Sequence, residues 1–354
     1  MSPRVAHLTA FATSLLLSGP TLADPNWENI PGKEIPLFYP GPSAYEWVMN
    51  LPDHTGARKL TEKKQNCFDC HESDADVIGS DVVAGKKVGK ARVILDTSVP
   101  AGRRGFIPVT VKAAHDSEKI FLRFEWESPF QAAPEVKPDP NNEIKLSMIF
   151  DGGNNDEARM TGCWMSCHMD LRTMPDSDNA AKKHPQSKAL GWNDGVTKYL
   201  PISRKSLSIA QQPRGGWRHI KRPEEIRRAL QAGQFLDLMQ YRSGGGKPID
   251  GYVLESRHMD GGKSLINAAG KRDGNKWTIT FERTLESKGL GDHRIQAGQT
   301  INFGIAIHEN FSHARFHHVS LGYTLGLDNP SAFINAVNIA PSLASTPSPS
   351  TVKP

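Results

Sequence analysis

All four cysteines of this 354-residue chain fall in two short clusters, and each cluster ends in a histidine. The stretch "NCFDCHESD" holds Cys67, Cys70 and His71; "GCWMSCHMD" holds Cys163, Cys167 and His168. Two thiols one helical turn apart, followed at once by an imidazole, suit a c-type haem. The thiols form thioether bonds at the edge of the macrocycle, and the histidine reaches the iron. The second cluster has one residue more between its cysteines and does the same chemistry if that residue bulges out of the turn. Zinc would want two more Cys or His ligands at a matched spacing. A disulfide framework, which an exported chain permits, gives no reason for a histidine to follow each pair. The expectation is two covalently bound haem c groups, on Cys67/Cys70 and Cys163/Cys167, with His71 and His168 as proximal iron ligands.

The N-terminus reads as an export signal. "MSPR" supplies a positive start, "VAHLTAFATSLLLSG" an apolar run, and "TLA" before Asp24 a small-residue cleavage site. Residues 1–23 are expected to be removed, which leaves a periplasmic protein with no transmembrane segment. The run is short for a bilayer span. The net charge of +5 comes from 43 basic and 38 acidic residues that are interspersed, so there is no nucleic-acid signature. Loss of Arg4 with the leader, and about four propionates from two haems, bring the holoprotein near neutrality; strong long-range steering is not expected.

Gly 31 and Pro 25 indicate many turns. From residue 106 the pattern alternates: "FIPVTVKAA" (106–114), "KIFLRFEWES" (119–128), "EIKLSMIF" (143–150), "KWTITFER" (276–283), "TINFGIAIHEN" (300–310) and "ARFHHVSLGYTL" (314–325) read as strands. The fold class is mainly β, an antiparallel β-sandwich or barrel. The expected organisation is an irregular N-terminal c-type haem module over 24–90, then a β-sandwich haem-binding domain over 91–335. A partly helical insert, 151–275, carries the second haem motif. Its helix is "RPEEIRRALQAG" (222–233), with Pro early, Glu in the first turn and Gly at the end. Residues 336–354 form a Pro/Ser-rich tail, expected to be disordered. "DGGNNDE" (151–157) lacks the spacing of a calcium loop and reads as a turn.

Each haem iron has a second axial position. His54 precedes the first motif and either folds back on that iron or is an exposed loop histidine. Met148 faces the apolar side of a strand and is either a ligand or core filler. His317 and His318 are strand neighbours pointing to opposite faces, so one of them faces inward. It needs a partner, which an iron, a propionate or an ordinary hydrogen bond supplies. Arg315 is a candidate propionate contact. His308 and Met239 are weaker candidates.

The segments "FYPGPSAYEWVMN", "GARKLTEKKQNCFDCHE", "GCWMSCHMDLRTMPD", "DLMQYRSG" and "GIAIHENFSHARFHHVSLGYTLGLD" together resemble c-type cytochromes of the ethylbenzene dehydrogenase-like, DMSO reductase-associated haem-binding domain family. The resemblance covers most of residues 36–328. It implies a β-sandwich holding a haem between its sheets, and electron transfer alongside redox donor and acceptor proteins, a molybdenum oxidoreductase among the candidates. In the family's b-type relatives a Met and a Lys hold the iron. Met148 stands near the expected methionine. The lysine is expected within "DLMQYR", where this chain has Arg242, which cannot give up its proton; His168 is read as taking its place. The expected function is a periplasmic dihaem electron carrier rather than an enzyme. The alternative is a haem enzyme whose iron keeps an open position for a small molecule.

Overall fold

The alternating segments become strands, and several strands form where the sequence pattern is silent. The computed structural model describes residues 25–41, 48, 54–90, 92–99, 101–128, 143–166, 199–203, 205, 220–245, 247–309 and 317–339. In chain order its elements begin with β1 (Gly32–Phe38), α1 (Ala57–Lys63), α2 (Phe68–His71) and α3 (Ala75–Val83). Next come β2 (Lys87–Val88), β3 (Val93–Ile94), β4 (Phe106–His115), β5 (Lys119–Glu127) and β6 (Ile144–Asp151). Then follow α4 (Asp156–Thr161), α5 (Cys163–Ser166), α6 (Pro223–Gln231), β7 (Leu236–Arg242), β8 (Ile249–Val253) and β9 (Arg257–His258). The chain continues with β10 (Leu265–Asp273), β11 (Lys276–Thr284), β12 (Thr300–Glu309), β13 (His318–Val319), β14 (Tyr323–Leu327) and β15 (Ile334–Asn338).

The fold is mainly β, as expected. Its long strands, however, pair into one continuous sheet. Six of them close a ring in the order β4, β1, β13, β12, β14, β15 and back to β4. The β14–β15 and β15–β4 ladders are parallel, against the all-antiparallel expectation. From this ring two wings extend: β5, β11 and β10 beyond β4, and β6, β7, β8 and β9 beyond β12. Arg283 of β11 meets Asp237 of β7 at 2.8 Å with both side chains fully buried, which joins the wings across the core.

Alternation in sequence is alternation in burial. Ile107, Val109, Val111 and Ala113 of β4 are buried, and so are Ile120, Leu122, Phe124 and Trp126 of β5. The rings of Phe124 and Phe281 pack edge to face at 5.9 Å. Strand β6 is buried at every position and is paired on both edges, with β12 and β7, so it lies inside the sheet. Helix α6 forms where expected, with Pro223 at its start, Glu224 and Glu225 in its first turn, and Gly233 just beyond it at φ +72°.

Four local expectations are corrected. The 24–90 module is not irregular throughout, since β1 pairs with β4 from Gly32↔Lys112 to Phe38↔Phe106. The 151–275 insert contributes β7, β8, β9 and β10 to the sheet. The segment 314–325 is not one strand: between β13 and β14 the Ser320 hydroxyl, not a backbone carbonyl, accepts the Ile305 N–H at 2.9 Å. Finally, β15 carries ordered structure to Asn338, past the expected start of the tail at 336.

The N-terminal helices are positioned by a close approach. Helix α3 lies on β1 and on the residues that lead into β4. A Cβ added at Gly79 would sit 1.9 Å from the Gly105 carbonyl oxygen, and one at Gly105 would sit 2.5 Å from Ser80 Cα. Gly105 O also accepts the Tyr39 N–H at 2.8 Å, so this backbone has no freedom to move away. Gly79→Ala is therefore expected to lower the unfolding free energy by about 1–3 kcal/mol through overpacking. Urea denaturation checks it: the midpoint falls and the slope is unchanged.

Candidate haem site

The first cysteine motif is one turn of helix. Cys67 caps α2, and its carbonyl accepts the N–H groups of Cys70 (3.2 Å) and His71 (2.9 Å). That turn puts both sulfurs and the imidazole on one wall of an apolar cavity of about 590 Å³. The opposite walls come from α1, α3 and the sheet: Leu60, Ile78, Val82, Phe38, Leu95 and Leu321 all line it. The cavity thus straddles the expected boundary at 90/91.

His54 lies in the same cavity. Its ring centre is 6.1 Å from that of His71, with 24° between the ring planes. This is too wide for stacked rings in contact. It is the spacing of two imidazoles that share one metal ion. A bound imidazole nitrogen stands about 2.0 Å from its metal and the ring centre about 1.1 Å further, which puts the two centres about 6.2 Å apart. His71 Nδ1 is hydrogen-bonded to Asp74 Oδ1 at 2.9 Å, which fixes the ring and leaves Nε2 for the cavity. Gly56 gives the His54 ring its room, since a Cβ there would lie 2.9 Å from Cε1. Burial, and then the nearness of His71, push the His54 pKa down, so the imidazole is neutral with a lone pair to offer.

Cys67 is buried and Cys70 exposed. Burial drives a free Cys67 thiol up to about 12. A seat that disfavours thiolate suits a carbon–sulfur bond better than a zinc ligand. No group of three or more thiol, imidazole and carboxylate ligands forms around this turn among the described residues. Volume, apolar walls and opposed imidazoles therefore fit a covalent haem on Cys67 and Cys70.

The second motif adjoins the first. Cys163 starts α5, is buried, and packs so tightly on β12 that a Cβ at Gly304 would lie 2.3 Å from its backbone nitrogen. Trp164, the next residue, lines the first cavity and meets the Phe38 ring edge to face at 5.7 Å. Cys67 N–H donates to the Met160 carbonyl at 2.9 Å. Arg159 Nη1 donates to the Lys64 carbonyl (3.0 Å) and to Asn66 Oδ1 (2.5 Å), and Lys64 pairs with Asp156 at 2.5 Å. Cys167, His168 and Arg315 lie outside the described residues.

The other candidates are not in this cavity. Met148 is buried in β6 between Met239 of β7 and Ile305 of β12. His317 stacks on His308 at 4.7 Å with 10° between planes. The inward member of the 317/318 pair is His318, fully buried, with Nε2 hydrogen-bonded to the Arg104 carbonyl at 2.9 Å. Arg242 is exposed and donates to Gln240, while the buried Lys145 stands directly across the β6–β7 ladder from it. Sequence reasoning missed Asp74, Gly56, Trp164 and Lys145. Only Asp74 had a signal, three residues after His71 and so on the same side of a helical turn.

The chain matches the ethylbenzene dehydrogenase family over residues 24–270. Cytochrome c-552 of Stutzerimonas stutzeri is 37% identical over 93% of this chain and 95% of its own length. Cytochrome c-551 of Rhodocyclus tenuis is 28% identical over 86% of this chain and 95% of its own length. The chain belongs to the ethylbenzene dehydrogenase family. No helix among the described residues is long and apolar enough to cross a membrane.

His318 supplies a prediction. Burial lowers its pKa to about 4 from 6.5. The unfolded chain takes up this proton as pH falls below about 6.5, whereas the folded chain refuses it until about pH 4. The stability this group contributes is present above pH 6.5 and is lost as pH falls towards 4, on the order of 3 kcal/mol. His318→Gln keeps a donor for Arg104 and is expected to flatten that decline in urea titrations between pH 7 and 4.5.

Proposed function

We propose that this chain is an exported dihaem c-type cytochrome that carries electrons between redox proteins. One observation carries the reading: His54 and His71 oppose each other at 6.1 Å in an apolar cavity walled by Cys67 and Cys70. A haem bound there supplies a one-electron iron couple. Cys67 and Cys70 hold it by thioether bonds. His71, held in orientation by Asp74, would supply one nitrogen to the iron. His54, facing it across the cavity, would be the second nitrogen donor. Two nitrogen ligands make a carrier rather than a catalyst, so the open-iron enzyme reading is disfavoured at this site. The apolar walls would keep water from the bound group.

The second haem is assigned to Cys163, Cys167 and His168. Trp164 follows Cys163 directly and lines the first cavity, and the Cys67–Met160 hydrogen bond ties the motifs together. Both features favour electron transfer within the chain. The relatives' names support covalent haem and redox partners. A molybdenum oxidoreductase is the partner class that the sequence resemblance implies. Cleavage of residues 1–23 delivers the chain to the periplasm. The wings joined by Arg283 and Asp237 are read as the two layers of a sandwich domain over 91–335, with 24–90 as the haem module.

Intact-mass measurement of the exported protein is expected to find two added haems. Absence of covalent haem sinks the proposal. His54→Ala is expected to convert one haem from low spin to high spin and to open it to carbon monoxide, read by optical and paramagnetic-resonance spectra. Spectra identical to the wild type would remove His54 from the ligand set.

A further inference from the structure

A second cluster of charged side chains lies between β7, β8 and the loop leading to β12. Asp237 pairs with Tyr252 across the β7–β8 ladder, and Asp250 precedes Tyr252 by two residues, so both carboxylates leave the same face as diagonal neighbours. Asp292 reaches them from the loop, held by the Lys263 N–H (2.7 Å), the Ser264 hydroxyl (3.0 Å) and the Ser287 hydroxyl. One oxygen of each carboxylate lies within 4.8 Å of the other two.

The protein supplies too little positive charge here. Arg283 Nη1 donates to Asp237 Oδ2 at 2.8 Å, and the His293 N–H donates to the same oxygen at 3.1 Å. Asp237 Oδ1, on a side chain with 0% exposure, is left without a hydrogen-bond partner, and so is the buried Asp250 Oδ1. His293 Nε2 is hydrogen-bonded to the Phe235 carbonyl, and burial works against a positive charge on its ring, lowering its pKa. Burial, with Asp292 close by, pushes Asp237 and Asp250 up to about 6 each. Gly262 borders the space between the carboxylates. A Cβ at Gly262 would lie 2.1 Å from Asp250 Oδ1 and 2.8 Å from Asp292 Oδ1, so a glycine keeps that gap open.

We propose that Asp237, Asp250 and Asp292 bind one calcium ion. Three carboxylates against one guanidinium leave two negative charges for a divalent cation. An all-oxygen donor set selects a hard ion. Calcium bonds of 2.3–2.6 Å accept ligand oxygens up to about 5 Å apart, whereas magnesium draws its ligands to about 4 Å in a strict octahedron. The ion pins the loop before β12 onto β7 and β8. None of this depends on the haem assignment.

The haem-loaded protein, stripped with EDTA, is titrated with calcium chloride by calorimetry and melted in EDTA, 1 mM calcium or 1 mM magnesium. One calcium per chain is expected, with a midpoint rise of roughly 5 °C in calcium and less in magnesium. Asp250→Asn still offers an oxygen to the Leu265 N–H (2.9 Å) and is expected to lose the rise. Gly262→Ala fills the gap and serves as a second variant should Asp250→Asn fail to fold. Elemental analysis of the EDTA-treated protein reads out an ion too tight to strip. No calcium in that analysis, no heat and equal midpoints in calcium and EDTA would overturn the proposal, as would the same rise in a folded variant.

Discussion

The hydrogen bond from the Cys67 N–H to the Met160 carbonyl joins two parts of the chain that sequence order keeps far apart. Around it Arg159 and Lys64 add a guanidinium and an ammonium contact, and Lys64 holds the Asp156 carboxyl below its usual range. Exposed ion pairs of this kind contribute little alone. Their effect is geometric, since they fix where α2 starts relative to α4 and α5. Once that is fixed, Trp164 must fall into the cavity beside α2, and Cys163 must fall on β12. The arrangement of both cysteine motifs follows from one short stretch of paired backbone.

The ring of six strands supplies the fixed frame. Strand β12 pairs with β6, β13 and β14, and its Gly304 admits the backbone of the second motif. Strand β1 brings Phe38 to the cavity, and Leu321 enters from the break between β13 and β14. An electron carrier gains from walls that do not move between oxidation states. Here those walls are strand residues and glycine-fitted helices.

Much of this was legible in the sequence, and the remainder was hidden for identifiable reasons. The motif spacing pointed to Cys67, Cys70 and His71, which the structure brings to one cavity, and period-two alternation matched β4, β5, β6, β11 and β12. Strand β10 escaped because its "LINAAGKRD" is almost wholly exposed at a sheet edge and carries no apolar period. Strand β7 escaped because "LDLMQ" is buried on both faces and so does not alternate. The closing strand β15 is short and parallel, and it lies where composition turns towards proline and serine. His54 was visible as a histidine near the first motif. Its opposition to His71 is a distance between a loop and the end of α2, which no local pattern encodes.

The burial of Cys67 and Cys163 bears on the order of biogenesis. Cys67 and Cys163 are each 5% exposed, one against the Met160 backbone and the other against Gly304. An enzyme cannot reach a sulfur enclosed in that way. On the proposed reading, the thioether bonds must be made while the polypeptide is still open. Folding then closes over a prosthetic group already in place, and its bulk becomes part of the template on which β1, β12 and the N-terminal helices assemble.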